Sequence, residues 1–506
     1  MYPAVHAQAT PDRPAVIMSP GGARVSYAEL DERSARLAAV FRGAGARRGD
    51  TVVLALQNDV RWAEVVWACL RSGLYIAPVN WHLTAAELTP LMQDAAPRVV
   101  VTSAELYATM CEAVRAARLA IAPLWLVAEA DEVWGGSRPA GVLDHDLAVA
   151  GTPRDDTLEE TLGGRLLFSS GTTGRPKPFR VDPVDVHPAN APMRLGSLLP
   201  TLGFTTGDLT YLATGPSYHA GPFAFLQAVH QLGGTVVMMS RFDAEGALTA
   251  IAENRVTHSQ WVPTMFIRML RLPETARRAH DLSSHRVAVH AGAPCPVDVK
   301  RAMLDWWGPI IHEYYGASEG FGSTAIGPAE WVEHPGSVGR PVDGDLFIAD
   351  AGGRELPRGE VGVVSFRRPG ASGTAGDLGY VDSEGYLYLT GRVSQVIISG
   401  GVNIHPREIE DLLALHPAVA DVAVVGAPDD EFGEQVKAIV QPAEGARPGP
   451  ELASELVRYC RDRLAHHKCP RSVDFVEQMP RNEAGKLLVS ELRARYWPAS
   501  RSVGTV

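Results

Sequence analysis

Short apolar runs alternate along the chain with segments whose apolar positions recur at helical spacing. In VSYAELDERSARLAAVFRGAG, residues Leu30, Ala35, Leu37, Val40 and Phe41 fall near a helical period, and Tyr27-Ala28-Glu29 leads into them, which predicts a helix. GDTVVLAL reads as a buried strand, RWAEVVWACLRSG as a helix and YIAPVN as a second strand. The same beat returns in RVVVTS, LWLVAEA, GTVVMMS and HSQWVP. Strand, helix and strand in repetition predict parallel sheets covered by helices, an α/β fold.

Near residue 390 the texture becomes compact α+β. VIISGG reads as strand and turn, REIEDLLALHP as a helix, VADVAVVGAP and QVKAIVQPA as strands, and ELASELVRYCRDRLAHH as a closing helix. About 110 residues suffice for a small separate domain. The expected organisation is therefore a large unit over residues 1–392 and a small one over 393–506, without internal repeats or low-complexity tracts.

Composition narrows the function classes. A chain of 506 residues, 46% of them hydrophobic, exceeds one ordinary domain and can build a large core. A net charge of −11 with no basic run argues against a nucleic-acid or acidic-membrane partner. Any polyphosphate site must then be locally positive against this background. Cys69, Cys111, Cys295, Cys460 and Cys469 are scattered and lack C-x-x-C spacing, as expected of reduced thiols in the cytoplasm. HHKC, residues 466–469, has no second ligand pair to complete a metal site. The opening MYPAVHAQATPDRP does not read as a signal peptide, and no apolar run approaches the ~18 residues of a membrane span. The expectation is a soluble cytoplasmic protein; nothing in the sequence decides for or against a homodimer.

Four segments carry candidate chemistry. LLFSSGTTGRPKPFR, residues 166–180, sets small residues, hydroxyls and Lys177 directly after an apolar run. Such a loop exposes backbone N–H groups to phosphate oxygens, and Gly171 and Gly174 let the backbone come close. It is not a Walker A loop, because the spacing fails and Pro176 precedes the lysine. EYYGASEG, residues 313–320, offers aromatics for a purine and Glu319 for a hard cation. GDLGYVDSEGYLYLTGR, residues 376–392, places Asp377, an acceptor suited to ribose hydroxyls, before Arg392 across a hairpin. PRNEAGKLL, residues 480–488, carries Lys486 on a glycine-marked turn. Each alone could be ordinary surface, but the four in this order are hard to credit to chance.

With these motifs the chain resembles the adenylate-forming superfamily over essentially its whole length. PSYHAGPF (216–223), HAGAPCP (290–296) and IISGGVNIHPREIE (397–410) resemble most the acyl-CoA synthetase branch of AMP-dependent ligases. The resemblance implies a large N-terminal domain of parallel-rich sheets with a β-barrel-like part, and a small mobile C-terminal lid. It implies that Ser169, Ser170, Gly171, Thr172, Thr173, Gly174 and Lys177 surround the β- and γ-phosphates of ATP. Gly292, Ala293, Pro294, Tyr315 and Ser318 would line the adenine side, and Asp377 and Arg392 would grip the ribose. Glu319 and Thr172 would hold Mg²⁺, and Lys486 would reach in from the lid. Gly400 and Gly401 would line a tunnel for coenzyme A. His219, with Lys177, Glu319 and Lys486, would serve the chemistry.

The acid pocket is expected from Tyr218, His219, Trp261, Phe266, His290, Gly316 and Gly320, whose rings point to an aryl or otherwise substituted acid. His219 also reads as a packed core histidine, and Cys295, between prolines, as a small buried residue and not a nucleophile. Three positions depart from the family pattern: Pro178 stands where glycine is common, Ser318 where threonine is, and Ser394 at the hinge. Pro178 in the phosphate loop and Ser394 at the hinge leave room for a second reading, a diazotase that joins nitrite to AMP for attack by an aryl amine. A non-catalytic nucleotide-binding protein is the third, disfavoured because Lys177, Glu319 and Lys486 are all present.

Overall fold

The helix read from Tyr27 onward starts where a side chain can satisfy its free N–H groups. In the computed structural model, Ser26 Oγ accepts from Glu29 N, and the Glu29 carboxylate accepts from Ser26 N at 2.7 Å, closing a capping box on Tyr27–Gly43. Tyr27, Leu30, Ala35, Leu37, Ala38, Val40 and Phe41 form its buried face. The helix Arg61–Leu70 is buried from Trp62 through to Leu70. Even Glu64 is enclosed there, its charge met by Arg33 Nε at 2.6 Å.

The structure describes residues 2–169, 177–316, 320–369, 371–400, 402–481 and 487–497, without the side chains of 169, 177, 371, 403 and 490. They group into two compact units. One comprises Met1–Trp261, Met265–His290 and Met303–His312; the other comprises Val262–Thr264, Ala291–Ala302 and Glu313–Val506.

The first unit holds two parallel-rich sheets. A seven-stranded sheet runs in the order Val142–Asp144, Leu124–Ala128, Val99–Ser103, Thr51–Ala55, Tyr75–Pro78, Gly164–Ser169, Lys177–Val181. Every neighbouring pair is parallel except the last. Its central strands are wholly buried, which is why they read as unbroken apolar runs and not as alternating ones. Six strands of a second sheet follow the order Val287–His290, His258–Trp261, Thr210–Ala213, Thr235–Met239, Pro14–Ser19, Arg24–Ser26, again parallel except for the last pair.

In the second unit, Glu313 to Gly316 pair antiparallel with Ser323–Ile326, which pairs with Arg340–Asp343. The part expected to be barrel-like is a four-stranded antiparallel sheet, Asp345–Ala349, Gly362–Arg368, Ala371–Val381 and Leu387–Arg392, around Val338, Ile348, Val364, Phe366 and Leu387. The last residues form the expected α+β body. Long strands Val419–Asp429 and Gly433–Pro442 pair antiparallel, and helices Pro406–Leu413 and Pro450–Arg461 supply Ile409, Leu413, Leu452, Leu456 and Cys460 to its core. The second helix stops at Arg461, short of His467. A 3-10 turn, His466–Lys468, then returns Cys469 to the core and leads to the strand Ser472–Phe475. Among the described residues no helix is long and apolar enough to cross a membrane.

Candidate functional site

Open parallel sheets bind ligands beyond the carboxyl ends of their strands, because the connections there diverge and leave a crevice. Both sheets of the first unit end in candidate residues. Gly164–Ser169 and Lys177–Val181 pair antiparallel with Ser169 opposite Lys177, so the two ends of segment 170–176 meet at the head of a strand pair. Ser170, Gly171, Thr172, Thr173 and Gly174 lie outside the described residues, as do Ser318, Glu319, Gly401, Lys486 and the side chains of Ser169 and Lys177.

At the carboxyl edge of the second sheet, Ala213 is in register with Gln260, and Trp261 with His290. The chain after Ala213 is tied down twice. Thr214 Oγ1 donates to the Gln260 carbonyl at 2.5 Å, and the Asn58 amide spans three backbone groups. Asn58 Nδ2 donates to Gly215 O at 3.1 Å and to Met239 O at 2.8 Å, while its Oδ1 accepts from Ser217 N at 2.8 Å. This delivers Tyr218 and His219, their rings 4.4 Å apart, to the start of the helix Ala220–Gln231. Trp261, Phe266 and His290 are fully enclosed and pack as an aromatic wall. The Phe266 ring meets His290 edge-on at 5.5 Å and Trp261 at 6.0 Å, and Trp261 Nε1 donates to Ser259 Oγ at 2.6 Å.

In the second unit, Gly292 turns the chain at φ +85°, a left-handed conformation that suits glycine, before Ala293 and Pro294. Asp377 stands directly opposite Arg392 in the antiparallel register. Its Oδ1 accepts from Arg392 Nε at 2.7 Å and its Oδ2 from the Tyr315 hydroxyl at 2.7 Å. A carboxylate offers about four acceptor directions, and among the described residues these two donors leave two of them open. Gly316 ends its strand opposite Ser323, and Gly320 follows at φ +72°. Gly400 adopts φ +56° and donates its N–H to Phe432 O at 2.8 Å. Burial pushes the Cys295 thiol up, with Glu313 adding to the effect, so it stays protonated and packs as an apolar residue. Among the described residues no cluster of His, Cys, Asp or Glu has the makings of a metal site, and Lys468 of HHKC instead pairs with Glu408 at 2.7 Å.

Sequence reasoning passed over Asn58, which ends an apolar strand pattern and reads there as a turn residue. It also passed over Arg165, Arg194 and Gln227, whose meeting depends on tertiary structure.

The description "AMP-binding enzyme" fits residues 4–374, and "AMP-binding enzyme C-terminal domain" fits residues 408–486. Feruloyl-CoA synthase of an Amycolatopsis species is 33% identical over 497 residues, 94% of this chain and 95% of that protein. The fatty acid–[acyl-carrier-protein] ligase ScoC of Streptomyces coeruleorubidus is 32% identical over 521 residues, 97% of this chain and 95% of its own length. The crystal structure of ATP-bound MatB from Rhodopseudomonas palustris superposes with a TM-score of 0.80 at 26% identity, covering 98% of this chain and 99% of MatB. With two parallel-rich sheets, a glycine-rich segment between paired strands and an aspartate clasped by tyrosine and arginine, the chain belongs to the AMP-binding enzyme family, in its acyl-CoA synthetase branch of AMP-forming ligases.

Proposed function

We propose that this enzyme joins a carboxylic acid to the AMP portion of ATP, releases pyrophosphate, and passes the acyl group to coenzyme A. The observation that carries the nucleotide half is Asp377. Tyr315 and Arg392 fix its orientation and leave acceptor positions for ribose hydroxyls. Gly292, Ala293 and Pro294 would flank the adenine, and the segment 169–177 the phosphates. Residues 1–392 would hold ATP and acid, and residues 393–506 would form the lid that brings Lys486 in.

The chemistry explains the need for these groups. A carboxylate is a poor electrophile, and its oxygen must attack a phosphorus that is itself anionic. One P–O bond forms to the carboxylate, the bond to the pyrophosphate oxygen breaks, and the leaving group departs with the electron pair. Lys177 and Lys486 would offset the gathering charge from fixed positions. A magnesium ion suits the hard oxygen donors Glu319 and Thr172, and when bound it would supply further neutralisation there. In the second step a thiol attacks the acyl carbonyl and AMP leaves. Gly400 and Gly401 would line the thiol's approach, and His219 would stand beside the carboxylate.

An aryl acid is favoured by the aromatic wall of Trp261, Phe266 and His290, and by the ring pair of Tyr218 and His219. Feruloyl-CoA synthase is named for an aryl acid, ScoC for fatty acids and a carrier-protein acceptor. We place the enzyme in the cytoplasm, in keeping with five free cysteines. The test is ATP–pyrophosphate exchange with a panel of aryl and alkyl acids, followed by product formation with and without coenzyme A. Exchange supported by nitrite and not by carboxylic acids would replace this reading, and no exchange with any acid would end it.

A further inference from the structure

Two arginines of the first unit lie half-buried near each other, and among the described residues neither meets a carboxylate. Arg165 projects from the strand Gly164–Ser169, and its Nε donates to Gln227 Oε1 at 2.8 Å. Burial, then the charge of Arg194, pulls the Arg165 guanidinium down to about 9; burial lowers Arg194 as well. Among the described residues neither guanidinium forms an ion pair, and the buried atoms Arg194 Nε and Gln227 Nε2 have no hydrogen-bond partner. Gln227 is 1% exposed. Gln231, one turn on, is used up in holding the loop that carries Arg194, accepting from Arg194 N at 2.7 Å and donating to Pro192 O at 3.2 Å.

Two like charges brought together and partly withdrawn from water disfavour the fold unless an anion joins them. Their position says which anion. Gln227 lies eight residues after His219 on one helix, about 12 Å along its axis. Arg165 lies four residues before Ser169, about 13 Å up the strand from the phosphate segment. Both elements thus run from the proposed reaction centre to the arginines over about the same length, that of a medium-sized acid.

Building on the adenylation reading above, we propose that Arg165, Arg194 and Gln227 form the far end of the acid pocket and select an acid with a second carboxylate remote from the one activated. The paired guanidiniums present several N–H donors to it, and Gln227 Nε2 supplies a neutral one.

The test is pyrophosphate exchange with matched probes, azelate against nonanoate and para-carboxycinnamate against cinnamate. The wild-type enzyme should prefer the diacid of at least one pair by roughly ten- to hundredfold in kcat/KM, the worth of one charge-assisted hydrogen bond. Arg165→Met should erase that preference mainly through a raised KM for the diacid, and Arg194→Gln gives the same reading should the first variant not fold. Arg165→Lys, which keeps the charge and loses the fork, should retain part of it. Azelate with ATP should raise the melting temperature of the wild type more than nonanoate does, and should not do so in Arg165→Met. Exchange with monoacids as good as with diacids overturns this proposal and leaves the adenylation reading intact. Absence of exchange with every acid overturns the adenylation reading itself. Parallel loss for both members of each pair in Arg165→Met assigns the arginines a structural role and also overturns it.

Discussion

Asp377 has both oxygens engaged by partners from separate parts of the second unit, and both partners are donors. Asparagine there would keep the size, lose the charge and turn one acceptor into a donor facing either Tyr315 or Arg392. Asp377→Asn is therefore expected to raise the KM for ATP by roughly ten- to hundredfold, the effect of losing one or two charge-assisted hydrogen bonds, as read by exchange at varied ATP. An unchanged KM would remove Asp377 from the nucleotide site. Lys486 is expected to act in the first half-reaction alone. Lys486→Ala should lower exchange at least about a hundredfold, by analogy with loss of one fixed donor to a developing charge. Transfer from supplied acyl-AMP to coenzyme A should survive, and equal loss in both halves would refute the assignment.

At the scale of elements, two features of the C-terminal body can be probed directly. A Cβ on Gly400 would lie 2.8 Å from Phe432 Cδ1, at a φ of +56° that non-glycine residues adopt only with strain. Gly400→Ala should cost about 1–3 kcal/mol of stability and impair thioester formation more than exchange, as melting curves and the separated half-reactions would show. Glu410, on the helix Pro406–Leu413, has its carboxyl pushed up to about 7 by burial, while Oε1 accepts from Val424 N at 2.8 Å. A folded carboxyl of this kind keeps its proton where the unfolded chain has released it. The stability it provides is present below the ordinary glutamate range and is lost as pH rises through about 7. Glu410→Gln keeps the acceptor and removes the titration. It should melt higher than the wild type at pH 8 and alike at pH 4; the same difference at both would exclude the charge as the cause. Regular elements were also what the sequence showed best. Thr51–Ala55 and Val99–Ser103 were legible because both faces are covered, which leaves an unbroken apolar run. The pair Asp377 and Arg392 was legible because one hairpin brings it together. Asp377 with Tyr315, 62 residues away, was not, since only the packing of two sheets joins them. Arg165 was hidden more deeply: one arginine in a strand reads as an edge residue until a helix is seen to cover it.

Across the whole molecule, any ligand that binds only the folded chain should stabilise it by mass action, by about 2.7 kcal/mol at a hundred times its Kd. A non-hydrolysable acyl-AMP analogue should accordingly raise the melting temperature, and ATP alone by less. No shift with either would contradict a nucleotide site built by the fold. The antiparallel pairing of Ser169 with Lys177 sets a further constraint on the molecule. Side chains along Lys177–Val181 alternate, with Phe179 half-buried between the exposed Pro178 and Arg180. A single residue added between 169 and 177 that shifts the returning strand one place along its partner turns Phe179 outward. Adding two restores the odd–even order. A strand shifted by one place should therefore lose the packing of Phe179, and one shifted by two should regain it.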